Sequence, residues 1–205
     1  MKENYDKQML EQLEKNKGKK ILLHSCCGPC SSYVIKELCK YLDVTVLYYN
    51  PNIEPISEYE KRKQVQKKLI EDLKKEGLNV DFMDCDYDNE SFKEIAHGLE
   101  HEKEGGQRCI KCFHLRLLKT AHLAKENNVD FFGTTLTVSP HKNAFHINQI
   151  GKVLEKELGI PFLVSDFKKR EGYKKSIEYS KYYDLYRQNY CGCNYSKGDV
   201  LNENK

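Results

Sequence analysis

The sequence predicts an α/β fold of three layers, a mostly parallel sheet of about five strands with helices on its faces. Two observations predict it. Short runs rich in β-branched and aromatic residues alternate with helical segments along the whole chain, the pattern of a parallel sheet with crossover helices. The length, 205 residues, suits one domain able to bury roughly 70% of the surface its unfolded chain exposes. The expected organisation is an N-terminal helical extension over 1–18, a single α/β domain over 19–195 and a flexible tail over 196–205.

Residues 3–17 are charged with Met9, Leu10 and Leu13 on one side, which predicts a first helix. Lys20-Ile-Leu-Leu-His24 is an apolar strand running into Ser25-Cys-Cys-Gly-Pro-Cys30, and helical spacing of Val34, Ile35, Leu38 and Leu42 follows over 31–42. A second strand spans 43–50 and stops at Pro51; a long charged helix spans 57–75 and ends at Gly77. A third strand covers 80–84 and a short helix 91–98. Gly105-Gly106 breaks the chain before a helix over 110–127, with Leu115, Leu118 and Leu123 inward. A fourth strand at 130–135, a helix at 144–158, a fifth strand at 161–165 and a helix at 172–183 complete the pattern. Ligands in such sheets sit beyond the carboxyl ends of the strands, which places the loops after strands one, four and five on one functional rim.

Lys plus Arg is 34 and Asp plus Glu 31, a net charge of +3. This mild excess does not by itself indicate nucleic acid. No run approaches the ~20 apolar residues that span a bilayer, and the charged N-terminus is no secretory signal. A cytoplasmic protein without a membrane partner is expected, in a compartment that keeps thiols reduced.

Nine cysteines there point to metal ligands or redox thiols. Cys26-Cys27 lies in a strand-to-helix loop, and Cys109-Ile-Lys-Cys112 opens a helix. Together they offer four thiolates, the number that Zn²⁺ or an iron–sulfur cluster takes. The adjacent pair argues against a zinc ribbon, although Cys27, Cys30, Cys109 and Cys112 also make a possible zinc set. A thioredoxin-like reading of Cys27-Gly-Pro-Cys30 leaves Cys26 and the second pair without a role. Cys191-Gly-Cys193 allows a small, strained, readily reduced disulfide; two spare ligands or unpaired thiols are the alternative. Cys39 fits a buried small hydrophobe. Lys168, Lys169, Arg170, Lys174, Lys175 and Arg187 are interleaved with tyrosines, a composition that suits a phosphate backbone and unstacked bases as well as a solvated helix face. His24 and His141 are either acid–base groups or partners of backbone carbonyls. Asp166 has three candidate roles: cation ligand, substrate anchor or partner of Arg170.

Five segments occur in order: His24-Ser-Cys-Cys-Gly-Pro-Cys30, Arg108-Cys-Ile-Lys-Cys-Phe-His-Leu-Arg116, Thr134-Thr-Leu-Thr-Val-Ser-Pro-His-Lys-Asn143, Asp166-Phe-Lys-Lys-Arg170 and Tyr186-Arg-Gln-Asn-Tyr-Cys-Gly-Cys193. In this order they resemble the QueH-type epoxyqueuosine reductases, cobalamin-independent enzymes of queuosine biosynthesis, over nearly the whole chain after residue 18. The resemblance implies a Rossmann-like (HUP-type) fold and two-electron removal of the epoxide oxygen from epoxyqueuosine at the wobble position of tRNA. It implies a [4Fe–4S] cluster on Cys26, Cys27, Cys109 and Cys112, and a redox-active disulfide between Cys191 and Cys193. An additional mononuclear iron is also implied, with Cys30 nearby, and so is an electron donor whose identity stays open. Lys168, Lys169, Arg170, Lys174 and Arg187 are the expected tRNA contacts. Gly28 stands where many relatives are expected to carry Ala.

Two rival readings differ in class. A tRNA-thiolating enzyme of the ATP-pyrophosphatase type needs a Ser-Gly-Gly-x-Asp-Ser loop after strand one, where this chain has His24-Ser-Cys-Cys-Gly-Pro. A zinc-stabilised tRNA-binding module leaves Cys191-Gly-Cys193 unexplained.

Overall fold

The computed structural model describes residues 3–196, so the expected tail lies outside the described residues from 197 onward. The elements run α1 (Tyr5–Lys15), β1 (Lys20–His24), α2 (Gly28–Leu38), β2 (Asp43–Leu47), α3 (Ile56–Lys75), β3 (Val80–Met83), α4 (Asn89–Ala96), α5 (Gln107–Glu126), β4 (Phe131–Thr134), a 3₁₀ turn (Leu136–Val138), α6 (Ala144–Leu158) and α7 (Gly172–Tyr182). The sheet order is β3-β2-β1-β4, with every pair parallel. β1 is therefore central, and its buried Ile21, Leu22 and Leu23 feed cores on both faces. One core joins Ile21, Leu23, Val34, Leu38, Val46 and Leu69; the other joins Leu22, Phe113, Leu117, Phe132, Ile147 and Phe162. This is the α/β, three-layer architecture that strand–helix alternation predicts.

The expected fifth strand is reduced to one parallel bridge, Phe132 to Phe162. Pro161 opens that segment and has no N–H for a ladder. Side chains supply the remaining partners. Gln12 of α1 accepts from Val164 N–H (3.1 Å) and donates to Phe162 O (3.2 Å). Asn148 of α6 accepts from Ser165 N–H (2.9 Å) and donates to Ser165 O (2.8 Å). α1 thus covers the edge beyond β4, burying Met9 and Leu13 in the first core. The second strand ends at Leu47, three residues short of the expected end.

Two helices begin three residues earlier than the apolar spacing predicts, both to the benefit of the cysteines. α2 starts at Gly28 with Cys27 as its N-cap and Pro29 in its first turn, where the missing N–H costs nothing. α5 starts at Gln107 after Gly106, placing Cys109 and Cys112 in its first two turns. Among the described residues, no helix is long and apolar enough to cross a membrane.

Candidate metal centre

The loop between β1 and α2 brings the thiols of Cys26, Cys27 and Cys30 within 4.8 Å of one another. Polar contacts beneath the loop hold it. Ser25 Oγ donates to Gln66 Oε1 (2.6 Å), Ser31 Oγ lies 2.7 Å from the same oxygen, and Asn50 Nδ2 donates to Ser25 O (2.8 Å). The Cys26 thiol sits 3.9 Å from Cys27 Sγ and 3.8 Å from Thr135 Oγ1. Hydrogen bonds from the Cys27 and Cys30 thiols hold Cys26 well below the usual thiol range, with Lys142 adding to the effect. The same contacts with Cys26 push Cys27 and Cys30 upward. Three clustered sulfurs, one of them with a lowered pKa, are a donor set for a cation.

α5 faces this loop. Cys26 and Cys109 pack against the same apolar cluster, which contains Phe113 and Leu117. Cys112 is packed with Cys193, Phe92 and Ala96. Burial pushes Cys112 up to about 12 and raises Cys109 and Cys193. Two cations lie among these sulfurs. For the Lys142 ammonium, burial acts downward, but Cys191, Cys26 and Cys30 outweigh it and the net shift is upward. Arg116, one turn beyond Cys112, is buried and donates through Nε to Cys112 O at 3.2 Å.

The segment 190–193 docks over the same region. Arg62 Nη1 donates to Cys191 O (3.1 Å), Glu54 N–H donates to Gly192 O (2.9 Å), and the Tyr190 ring lies 4.9 Å from the Arg62 guanidinium. The expected Cys191–Cys193 bridge is not formed, since both are free thiols. Cys193 enters the apolar cluster with Cys112, and Cys191 is half-exposed.

The family model described as epoxyqueuosine reductase QueH matches residues 21–199. A protein of that name from Staphylococcus epidermidis is 43% identical over 93% of this chain and 83% of its own length. Another, from Thermotoga maritima, is 35% identical over 86% of this chain and 89% of its own. The chain belongs to the QueH family of epoxyqueuosine reductases. The NMN synthetase of Francisella tularensis aligns in structure at a TM-score of 0.45 and 13% identity, over 98% of this chain and 85% of its own.

Of the cluster ligands that the QueH resemblance implies, Cys26 and Cys27 group with Cys30 among the described residues, while Cys109 and Cys112 stand outside that group, on α5. The basic residues are more dispersed. Lys168 is paired with Asp166 (2.7 Å), and Arg170 with Asp6 (3.1 Å) and Glu37 (3.8 Å). Asp166 therefore partners Lys168, not Arg170. Lys174 faces Glu171 at 3.4 Å. Lys169 and Arg187 are exposed, the latter 5.5 Å from the Tyr173 ring. His24 is wholly buried, with Nε2 3.1 Å from Tyr49 O and Nδ1 2.9 Å from Thr134 Oγ1. A carbonyl only accepts, so Nε2 carries the proton and Nδ1 accepts from the hydroxyl. Burial, reinforced by Arg116, lowers its pKa to about 3, which makes His24 a neutral structural partner. Arg62, Gln66 and Arg116 escaped the sequence reading. For Arg116 a signal existed, its four-residue spacing from Cys112.

Proposed function

We propose that this chain is an oxidoreductase that converts epoxyqueuosine in tRNA to queuosine, and that it does so at the cysteine-lined rim beyond β1. The observation that carries the reading is the thiol trio Cys26, Cys27 and Cys30, with Cys26 and Cys109 packed on one apolar cluster and Cys112 packed with Cys193 on another, in a chain of the QueH family. Removing the oxygen of an epoxide takes two electrons and two protons, breaks two C–O bonds, forms one C=C bond and releases water.

The donor set fits an iron–sulfur cluster. Cys26, Cys27, Cys109 and Cys112 supply four thiolates, and the buried Arg116 has an Nη2 with no partner among the described residues, as a site for an anionic group requires. When bound, such a cluster supplies one-electron chemistry. Cys30 is left over as a ligand for an additional iron. The chain's own groups do the rest. Lys142 opposes negative charge developing on the departing oxygen. The Cys191/Cys193 dithiol delivers a proton to it, and the pair holds two electrons and two protons, released as the disulfide forms. Re-reduction requires an external electron donor. Among the described residues, Lys169 and Arg187 are the expected tRNA contacts without a carboxylate partner, and they fit contacts to the tRNA backbone.

The test is anaerobic purification with iron, sulfide and zinc analysis, followed by turnover of tRNA bearing epoxyqueuosine. About four iron and four sulfide per chain, with queuosine as product, is the expected result. A zinc-containing, iron-free protein that binds tRNA without turning it over would refute it.

A further inference from the structure

Three arginines lie wholly inside the protein: Arg62, Arg108 and Arg116, each 1% exposed. A buried guanidinium is tolerated only when its charge and its N–H groups are answered. Arg62 is matched by the Glu58 carboxylate at 2.7 Å. Arg108 Nη1 meets three carbonyl oxygens, of Leu99 (2.8 Å), Glu100 (3.1 Å) and Glu102 (2.6 Å). Among the described residues each leaves one other nitrogen unbonded, yet two oxygens face Arg62 and three face Arg108. Arg116 differs. Its side-chain hydrogen bond goes to Cys112 O on its own helix, and its buried Nη2 has no partner among the described residues. Arginine–carboxylate pairs among the described residues involve Arg62 and Arg170, not Arg116. The Phe113 ring, 5.6 Å away, offers only a weak quadrupole.

What faces Arg116 is sulfur. Cys109 and Cys112 lie seven and four residues before it on one face of α5. Phe113, whose ring lies 5.6 Å from the Arg116 guanidinium, belongs to the apolar cluster on which Cys26 and Cys109 pack. We infer that Arg116 is the counter-charge of the metal centre, its free Nη2 donating to the anionic sulfur-ligated group and its charge setting how easily that group is reduced. The inference rests on the iron–sulfur reading proposed above. Net charge and hydrogen bonds to sulfur are the levers that move a cluster's potential, and a lost cation makes reduction harder.

The experiment compares wild type, Arg116→Met and Arg116→Lys. Anaerobically loaded proteins are titrated by absorbance and EPR for the midpoint potential, and metal-free proteins are melted. The midpoint should move to lower potential in Arg116→Met and stay closer to wild type in Arg116→Lys. The metal-free Arg116→Met protein should melt no lower than metal-free wild type, because an unanswered buried charge is removed. An unchanged midpoint in a fully loaded Arg116→Met, or a clear loss of stability in its metal-free form, would overturn the inference while leaving the cluster in place. If Arg116→Met takes up no iron, retention in Arg116→Lys supports the need for charge, and loss in both overturns it. Iron-free wild type would remove the cluster reading and this inference with it.

Discussion

Gly192 separates the two C-terminal thiols, and its replacement by alanine tests whether their docking depends on the backbone. Gly192 has φ of +118°, and an added Cβ would stand 2.9 Å from both Arg62 Nη1 and Ile53 Cγ1. A side chain at such a φ costs about 1–3 kcal/mol. Displacement also weakens the bonds from Glu54 N–H to Gly192 O (2.9 Å) and from Arg62 to Cys191 O (3.1 Å), each worth about 1 kcal/mol net. The docked segment should lose about 2–4 kcal/mol, which at 1.4 kcal/mol per tenfold raises its open population roughly 30- to 700-fold. Cys193 is 6% exposed, so alkylation requires opening. Pulse alkylation of the metal-free, reduced protein, read at the Cys193 peptide, should accelerate by that factor while the global melting temperature changes little. Gly18→Ala is the control: its φ is +78° and nothing lies within 4 Å of an added Cβ, so it carries a backbone penalty without touching the segment. Equal Cys193 labelling in wild type and Gly192→Ala would refute the claim that Gly192 clamps the pair.

Three further outcomes are expected. His24 has a folded pKa of about 3 against an ordinary 6.5, so its contribution is full above pH 6.5 and is lost as pH falls toward 3. Urea unfolding of the metal-free protein should therefore show up to about 1.4 kcal/mol of lost stability per pH unit below that point, and His24→Gln should abolish that component. An added Cβ at Gly28 would meet Val65 Cγ1 at 2.9 Å and Val65 O at 3.2 Å. Gly28→Ala should thus cost about 1–3 kcal/mol by overpacking, with part of the melting temperature recovered in Gly28→Ala/Val65→Ala. Cys191→Ser should keep the iron and sulfide content of wild type but lose turnover of epoxyqueuosine tRNA; an active variant would end the redox role of the pair.

The fold was legible because its signals are local. β1 is an apolar run that ends at a polar loop, and α6 is bounded by Asn143 as N-cap and Gly159 in the left-handed conformation, both visible in the sequence. The fifth strand failed because its fate was decided at long range. Phe162, Leu163 and Val164 have the composition of a strand, but Gln12 and Asn148 take the place of a ladder, and no spacing rule relates Gln12 to Phe162, 150 positions on. The cysteines were legible as clusters, but only Cys26-Cys27 follows a strand in the sequence; Cys109 and Cys112 open a helix and Cys191 and Cys193 follow the last one, so strand order alone did not relate the three. The basic segment misled for the opposite reason. Lys168 and Arg170 look available in the sequence, but Lys168 turns back onto its neighbour Asp166, and the fold brings Asp6 and Glu37 to Arg170.

α3 shows how a segment that looks merely solvated can organise a site. In sequence it is a long charged helix, and charge there suggests water. Glu58, Arg62 and Gln66 fall four residues apart and so form one stripe, with Arg62 and Gln66 fully buried. Glu58 fixes the Arg62 guanidinium at 2.7 Å, Arg62 holds Cys191 O at 3.1 Å, and Gln66 accepts from Ser25 at 2.6 Å beneath the Cys26–Cys27 loop. One helix face therefore positions both the thiol trio after β1 and the C-terminal thiol pair. Their anchors, Gln66 and Arg62, are one helical turn apart on α3. Loops alone would leave such a pair free to drift; anchoring both to one rigid element keeps the dithiol in register with the metal-binding thiols.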